Sequence, residues 1–239
     1  LKRENRLLQE QLRIARQVQA RLFPQKLPVI PTLRYSGVCQ PAGEIGGDYY
    51  DVLKLSREQF CLAVGDISGK GISAALLMAS LQALLRSHAS QAAEDLSAVI
   101  SEVNQLLCSM TEENRFATLF CAVYEAPTRQ LTYVNAGHNP PLLFRAGSTR
   151  NCTEAAVPGP EEDSTRILRL EGSGTVLGMF PDGAYSHQQL VLESGDTLIV
   201  YTDGVTEAQD SRGREFGEKR LTDVIRTQLS LSPAGLQEK

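Results

Sequence analysis

Apolar residues recur along the chain with two periods, and the change of period marks out the elements. Over residues 1–23, Leu1, Asn5, Leu8, Leu12, Ala15, Gln19 and Leu22 are spaced alternately four and three apart, which is the seam of a helix of about three heptads. Asn5 and Gln19 weaken that seam, and a second stripe of Leu7, Ile14 and Val18 lies beside it. Such a helix either joins another helix, as a dimer or a signal relay, or packs on its own domain. Pro24, Pro28 and Pro31 end it in an extended connector, so residues 1–31 read as a coiled-coil-like linker helix plus connector and residues 32–239 as one domain.

Within that domain, residues 33–39 form a short strand and 49–55 a longer one. In residues 60–65, Phe60, Leu62 and Val64 alternate with Cys61, Ala63 and Gly65, so both faces are apolar or small, as in a strand covered on both sides. Residues 72–85 are apolar nearly all round and predict a buried helix. Leu96, Val99, Ile100, Val103 and Leu107 predict a second over 96–110. Residues 116–125 and 130–135 read as a hairpin, 142–145 as another strand, 146–165 as an exposed loop, 196–206 as a second apolar strand and 217–229 as a closing helix.

With 42% hydrophobic residues in 239, the chain can bury a full core. A net charge of −4 without a basic cluster outside the first helix gives no footprint for nucleic acid. Five cysteines stand apart with no CxxC pair, as expected of reduced core thiols in a cytoplasmic protein. No apolar run approaches the ~20 residues of a membrane span. The chain opens on Leu1 rather than Met, as a fragment of a longer protein would, and the first helix could then relay from an upstream sensor domain.

The chemistry concentrates where apolar strands meet glycine. Asp66 closes one apolar run and is followed by Ile67, Ser68, Gly69, Lys70 and Gly71, with Lys70 the only positive side chain on offer. Asp203, followed by Gly204, repeats the arrangement at the end of the second apolar strand. If the strands are neighbours, the two carboxylates raise each other's pKa unless a cation lies between them. An all-oxygen donor set points to Mg2+ or Mn2+. Asp48 follows the Gly46-Gly47 pair, and period two turns it away from Asp51; Asp51 is expected to be a solvated turn acid. His138 and Asn139, in the turn 135–141, read as hydrogen-bonding groups that hold the turn, ahead of a ligand or acid role. A nucleotide loop is disfavoured: three residues, not four, separate Gly65 from Gly69, and Gly71 stands where the pattern needs Ser or Thr.

The stretches GGDYYDV (46–52), VGDISGKGISAALLMA (64–79), FATLFCAVY (116–124), NAGHNPPLL (135–143) and YTDGVTEA (201–208) closely resemble, in order, the bacterial PPM-type serine phosphatases of the sporulation stage II E and sigma-B regulator branch. That resemblance implies an α-β-β-α sandwich of two mainly antiparallel sheets flanked by helices, with an N-terminal helical extension. It also implies two Mn2+ or Mg2+ ions and hydrolysis of phosphoserine or phosphothreonine by metal-activated water. The substrate implied is a phosphorylated regulatory protein, typically a STAS-type anti-sigma-factor antagonist. Carried over, Asp66 is the acid that bridges the metals and the Ile67 carbonyl a ligand of one. Asp203 is a ligand of the other, and Asp48 binds directly or through water. Gly47, Gly69 and Gly204 would permit close backbone approach, with Lys70, His138 and Asn139 in support. Ser68 stands where eukaryotic relatives carry a histidine, which leaves the acid for the leaving group unassigned. The family usually ends in a strand with an Asp-Asp-Ile-Thr-like motif, and none follows Asp203. A metal site one acid short is therefore expected, and the alternative reading is a catalytically weak interaction module of a partner-switching pathway.

Overall fold

The computed structural model describes residues 2–111, 114–146 and 166–238. The expected exposed loop over 146–165 therefore falls, but for Ala146, outside the described residues. Helix α1 (Lys2–Leu22) leads into β1 (Tyr49–Lys54) and β2 (Gln59–Ile67), then the helices α2 (Ile72–Ala92) and α3 (Leu96–Met110). Strands β3 (Ala117–Glu125), β4 (Gln130–Ala136), β5 (Leu142–Arg145), β6 (Arg166–Arg169), β7 (Gln188–Val191) and β8 (Thr197–Ile199) follow. The short α4 (Asp203–Thr206), α5 (Gly217–Thr227) and α6 (Pro233–Gln237) close the chain.

The strands form two antiparallel sheets, one ordered β1-β2-β3-β4-β7 and the other β6-β5-β8. Period two then sorts the side chains into layers. Cys61, Ala63 and Ile67 of β2 join Leu119, Cys121 and Val123 of β3 against Met78, Leu81 and Leu85 of α2 and Ile100, Val103 and Leu107 of α3. The alternate positions Phe60, Phe120, Ala122, Tyr124 and Leu131 fill the space between the sheets with Leu143 and Leu170. Beyond the second sheet, Leu142 and Phe144 meet Tyr201 and Ile225, with Leu221 and Leu236 packed against them. The order is helices, sheet, sheet, helices, an α-β-β-α sandwich.

Three expectations change. Residues 33–39 form no strand: Leu33 makes a single bridge to Ile30, and Val38 is exposed. The second apolar strand shrinks to the half-buried Thr197–Ile199, paired on one side only with β5. Asp203 consequently opens a helical turn instead of ending a strand. On α1, the expected seam docks at its C-terminal end: Gln19 is buried and Leu22 packs against the core, while Leu7, Leu8, Ile14 and Val18 stay exposed. Gln19 grips Gly46 at both backbone groups, donating to its carbonyl (2.7 Å) and accepting from its N–H (3.1 Å). The Leu22 carbonyl, left over at the helix end, accepts from Gln82 and Arg86 of α2.

Candidate active site

The register of the first sheet builds the site. Tyr49 of β1 lies opposite Gly65 of β2, so one further step along the antiparallel pair sets Asp48 opposite Asp66, on the face turned toward the second sheet. Asp51 lies on the other face of β1. It is not the solvated acid expected of it: it is 2% exposed, receives Arg86 Nε at 2.7 Å, and accepts from Tyr49 Oη at 3.2 Å. The alternation that sends Asp48 to the site sends Asp51 into the interface with α2, where an ion pair must satisfy it.

Asp48, Asp66 and Asp203 are brought into one electrostatic neighbourhood from three separate elements. Burial pushes the Asp66 carboxyl up to about 7, with further contributions from the charges of Asp48 and Asp203 and a hydrogen bond to Asp48. Burial also raises Asp48, whose carboxylate accepts from Thr202 and Asp66 and is opposed by Asp203. Burial and mutual crowding thus hold both carboxyls above their ordinary range, as expected of neighbouring acids that no cation balances.

The surrounding turn is shaped by glycine. A Cβ on Gly47 would sit 2.8 Å from the Ile67 carbonyl oxygen and 3.4 Å from Ala74 Cβ, so the loop before Asp48 nests on the backbone that follows Asp66. Gly69 has φ +99° and lies under Arg115, whose Nη1 would be 2.1 Å from a Cβ there. Gly204 has ordinary room, the nearest atom to a Cβ being Thr202 Oγ1 at 3.9 Å. Lys70 is exposed. Ser68 is committed to the turn: its N–H donates to the Phe116 carbonyl (2.8 Å) and its Oγ accepts from Phe116 N–H (2.9 Å).

His138 is 5% exposed and belongs to the scaffold behind the acids. Its N–H donates to Asn135 Oδ1 (2.8 Å), and its Nδ1 lies 2.9 Å from Thr118 Oγ1, which in turn reaches the Asp66 carbonyl at 3.5 Å. Burial pulls the imidazole down to about 4, against a smaller contribution from the Tyr201 carbonyl that favours a proton; no group meets hydrogen-bond geometry at Nε2. Asn139 is half-buried beside it. Thr118, Thr202 and Arg115 were not singled out in the sequence. Thr118 was accessible in principle, as a hydroxyl within the apolar strand 116–125, but its pairing with Asp66 depends on register.

Carboxylates of this kind, all oxygen donors, would suit a hard divalent cation. The set is open, since among the described residues no group of three or more His, Cys, Asp or Glu closes around one point.

This sandwich is the fold of protein phosphatase 2C domains. The chain belongs to the stage II sporulation protein E family, whose profile matches residues 56–239. It is 30% identical over 212 residues to the phosphoserine phosphatase RsbU of Bacillus subtilis, covering 86% of this chain and 56% of the relative. It is 27% identical over 248 residues to the protein IcfG of Synechocystis, covering 92% and 36%. The chain thus spans between a third and somewhat over half of these relatives. The SiaA PP2C domain of Pseudomonas aeruginosa superposes with a TM-score of 0.77 at 20% identity, covering 100% of this chain and 89% of that one, which establishes the sandwich. Among the described residues no helix is long and apolar enough to cross a membrane.

Proposed function

We propose that this chain is a metal-dependent phosphatase acting on phosphoserine or phosphothreonine in a regulatory protein of the STAS anti-sigma-factor antagonist kind. Asp48, Asp66, Asp203 and the Ile67 carbonyl would hold Mn2+ or Mg2+, with two ions the expected complement. The observation that carries this reading is the register that sets Asp48 opposite Asp66, with Asp203 near enough to act on both electrostatically. Residues 32–239 form the phosphatase domain in this reading, and α1 serves as the regulatory linker through which a second copy or an upstream sensor acts.

When bound, such ions neutralise phosphate charge and lower the pKa of a coordinated water. The chain's own groups do the rest. Asp66 and Asp48, opposite each other on one face of β1 and β2, would hold the ions as oxygen ligands in their ionised form. Thr202 orients Asp48 by donating to it. The neutral His138 and Thr118 hold the backbone of Asp66, while Gly47 keeps the Ile67 carbonyl accessible by leaving out a side chain. Ser68 Oγ accepts from Phe116 N–H and ties the turn after Asp66 to the start of β3.

The test is release of phosphate from a phosphoserine protein with and without Mn2+. The expected result is a Mn2+-dependent rate that Asp66→Asn lowers by about a hundredfold or more. Equal activity of the Asp66→Asn protein would sink the assignment. The open donor set favours one alternative, a catalytically weak interaction module, which predicts no Mn2+ or Mg2+ binding by calorimetry.

A further inference from the structure

The proposed function brings a phosphate dianion to this centre, and a cationic side chain beside the acids would add directional hydrogen bonds to the attraction of the bound ions. Arg115, immediately before β3, is the side chain placed to supply them. Its Nη1 donates to the Ser68 carbonyl at 3.1 Å, and the guanidinium lies over Gly69, in the turn that follows Asp66. Arg86, Arg145 and Arg169 each meet a carboxylate; Arg115 is half-buried and meets none among the described residues. Among the described residues one N–H of its fork is used, which leaves the others to an oxyanion.

Fastening the turn does not account for this arginine. The Ser68 segment is already tied to the start of β3 by two hydrogen bonds, Ser68 N–H to the Phe116 carbonyl and Phe116 N–H to Ser68 Oγ. Gly69 in turn has the one side-chain size that lets the guanidinium lie so close to the backbone. Lys70, the other cation of the turn, is exposed and carries no fork. We propose that Arg115 is a phosphate-binding residue, holding the phosphoryl oxygens of the substrate from the Gly69 side of the Asp66 turn while the acids and their cations hold it from the other. The proposal rests on the phosphatase reading above.

Inorganic phosphate is the probe, titrated into the Mg2+-saturated full chain and followed by calorimetry, with Mg2+ affinity measured separately. Arg115→Met is expected to weaken phosphate binding by about tenfold or more while leaving Mg2+ affinity unchanged, as for loss of a charge-assisted hydrogen-bonding pair. Arg115→Lys, which keeps the charge and loses the fork, is expected to fall between, and it carries the test should the methionine variant not fold. Equal phosphate affinity in parent and variants, no phosphate binding by the parent, or parallel loss of Mg2+ and phosphate in Arg115→Met would each overturn the assignment, the last by reducing Arg115 to a prop for the turn. A parent that binds phosphate through Arg115 yet releases none from p-nitrophenyl phosphate or a phosphoserine protein would refute the phosphatase reading and leave the anion site standing.

Discussion

At the scale of single residues, alternation along β1 separates two aspartates that look alike in sequence. Asp48 and Asp51 were legible as facing opposite ways, but which faced water was not, because the partner that makes Asp51 tolerable inside, Arg86, lies 35 positions away on α2. His138 carries a consequence of its own. Its folded-state pKa of about 4 lies below the ordinary 6.5, so between those values the unfolded chain binds more protons than the folded one. Stability therefore falls as pH drops through that window and is unaffected by this group above it. At about 1.4 kcal/mol per unit, the effect reaches on the order of 2 kcal/mol by pH 5. Asp66, raised by burial and its neighbours, works in the opposite direction, so the parent's net dependence is shallow and the comparison must be between proteins. Urea denaturation in chelator at pH 7.5 and pH 5 should show His138→Gln losing less stability on acidification than the parent, by about that amount. Identical losses would mean that His138 does not enter the fold as the neutral ring.

Elements were legible where period and length agreed. The buried strand β2, the helices α2 and α3 and the β3–β4 hairpin are as the pattern predicts. The misses share a cause, in that a strand needs a neighbour. Residues 33–39 have the composition of a strand and no ladder to join, and the run 196–206 is held by β5 on one side only, so its last third turns into α4 and carries Asp203 with it. β7 went unread because QQLV at an exposed edge has no alternation to detect. The docking of α1 depends on one polar residue that looked like a flaw in a seam. Gln19 satisfies both backbone groups of Gly46, two residues from Asp48. Gln19→Leu keeps the size and strands those groups, at a cost of about 1–3 kcal/mol. Denaturant titration should show that loss, and hydrogen exchange should show faster exchange at Gly46 N–H; an unchanged midpoint would make the clamp incidental.

At the scale of the whole molecule, the sandwich satisfies its own apolar faces layer by layer, and α1 is the exception. Its C-terminal turn is fixed to the domain by Gln19, by the Leu22 carbonyl and by Phe23 stacked on Tyr50 at 5.5 Å. Along its length Leu7, Ile14 and Val18 are 57%, 50% and 58% exposed, and with Gln11 they run at alternating spacings of four and three. The outward seam is therefore the second stripe of the sequence pattern, since docking consumes the C-terminal end of the first. A single helix of 21 residues gives at most about three heptads of contact, so self-association through it is weak and concentration-dependent. Because the same helix grips the loop that carries Asp48, a partner helix laid along Leu7, Ile14 and Val18 would bear on the site through Gln19. Sedimentation of the full chain over a range of concentrations should show a monomer–dimer equilibrium that Ile14→Asp/Val18→Asp shifts entirely to monomer, with thermal stability retained because neither side chain is buried. A parent that stays monomeric at all concentrations, or a double variant that dimerises as the parent does, would remove α1 as the dimer contact and leave the exposed stripe to an upstream segment.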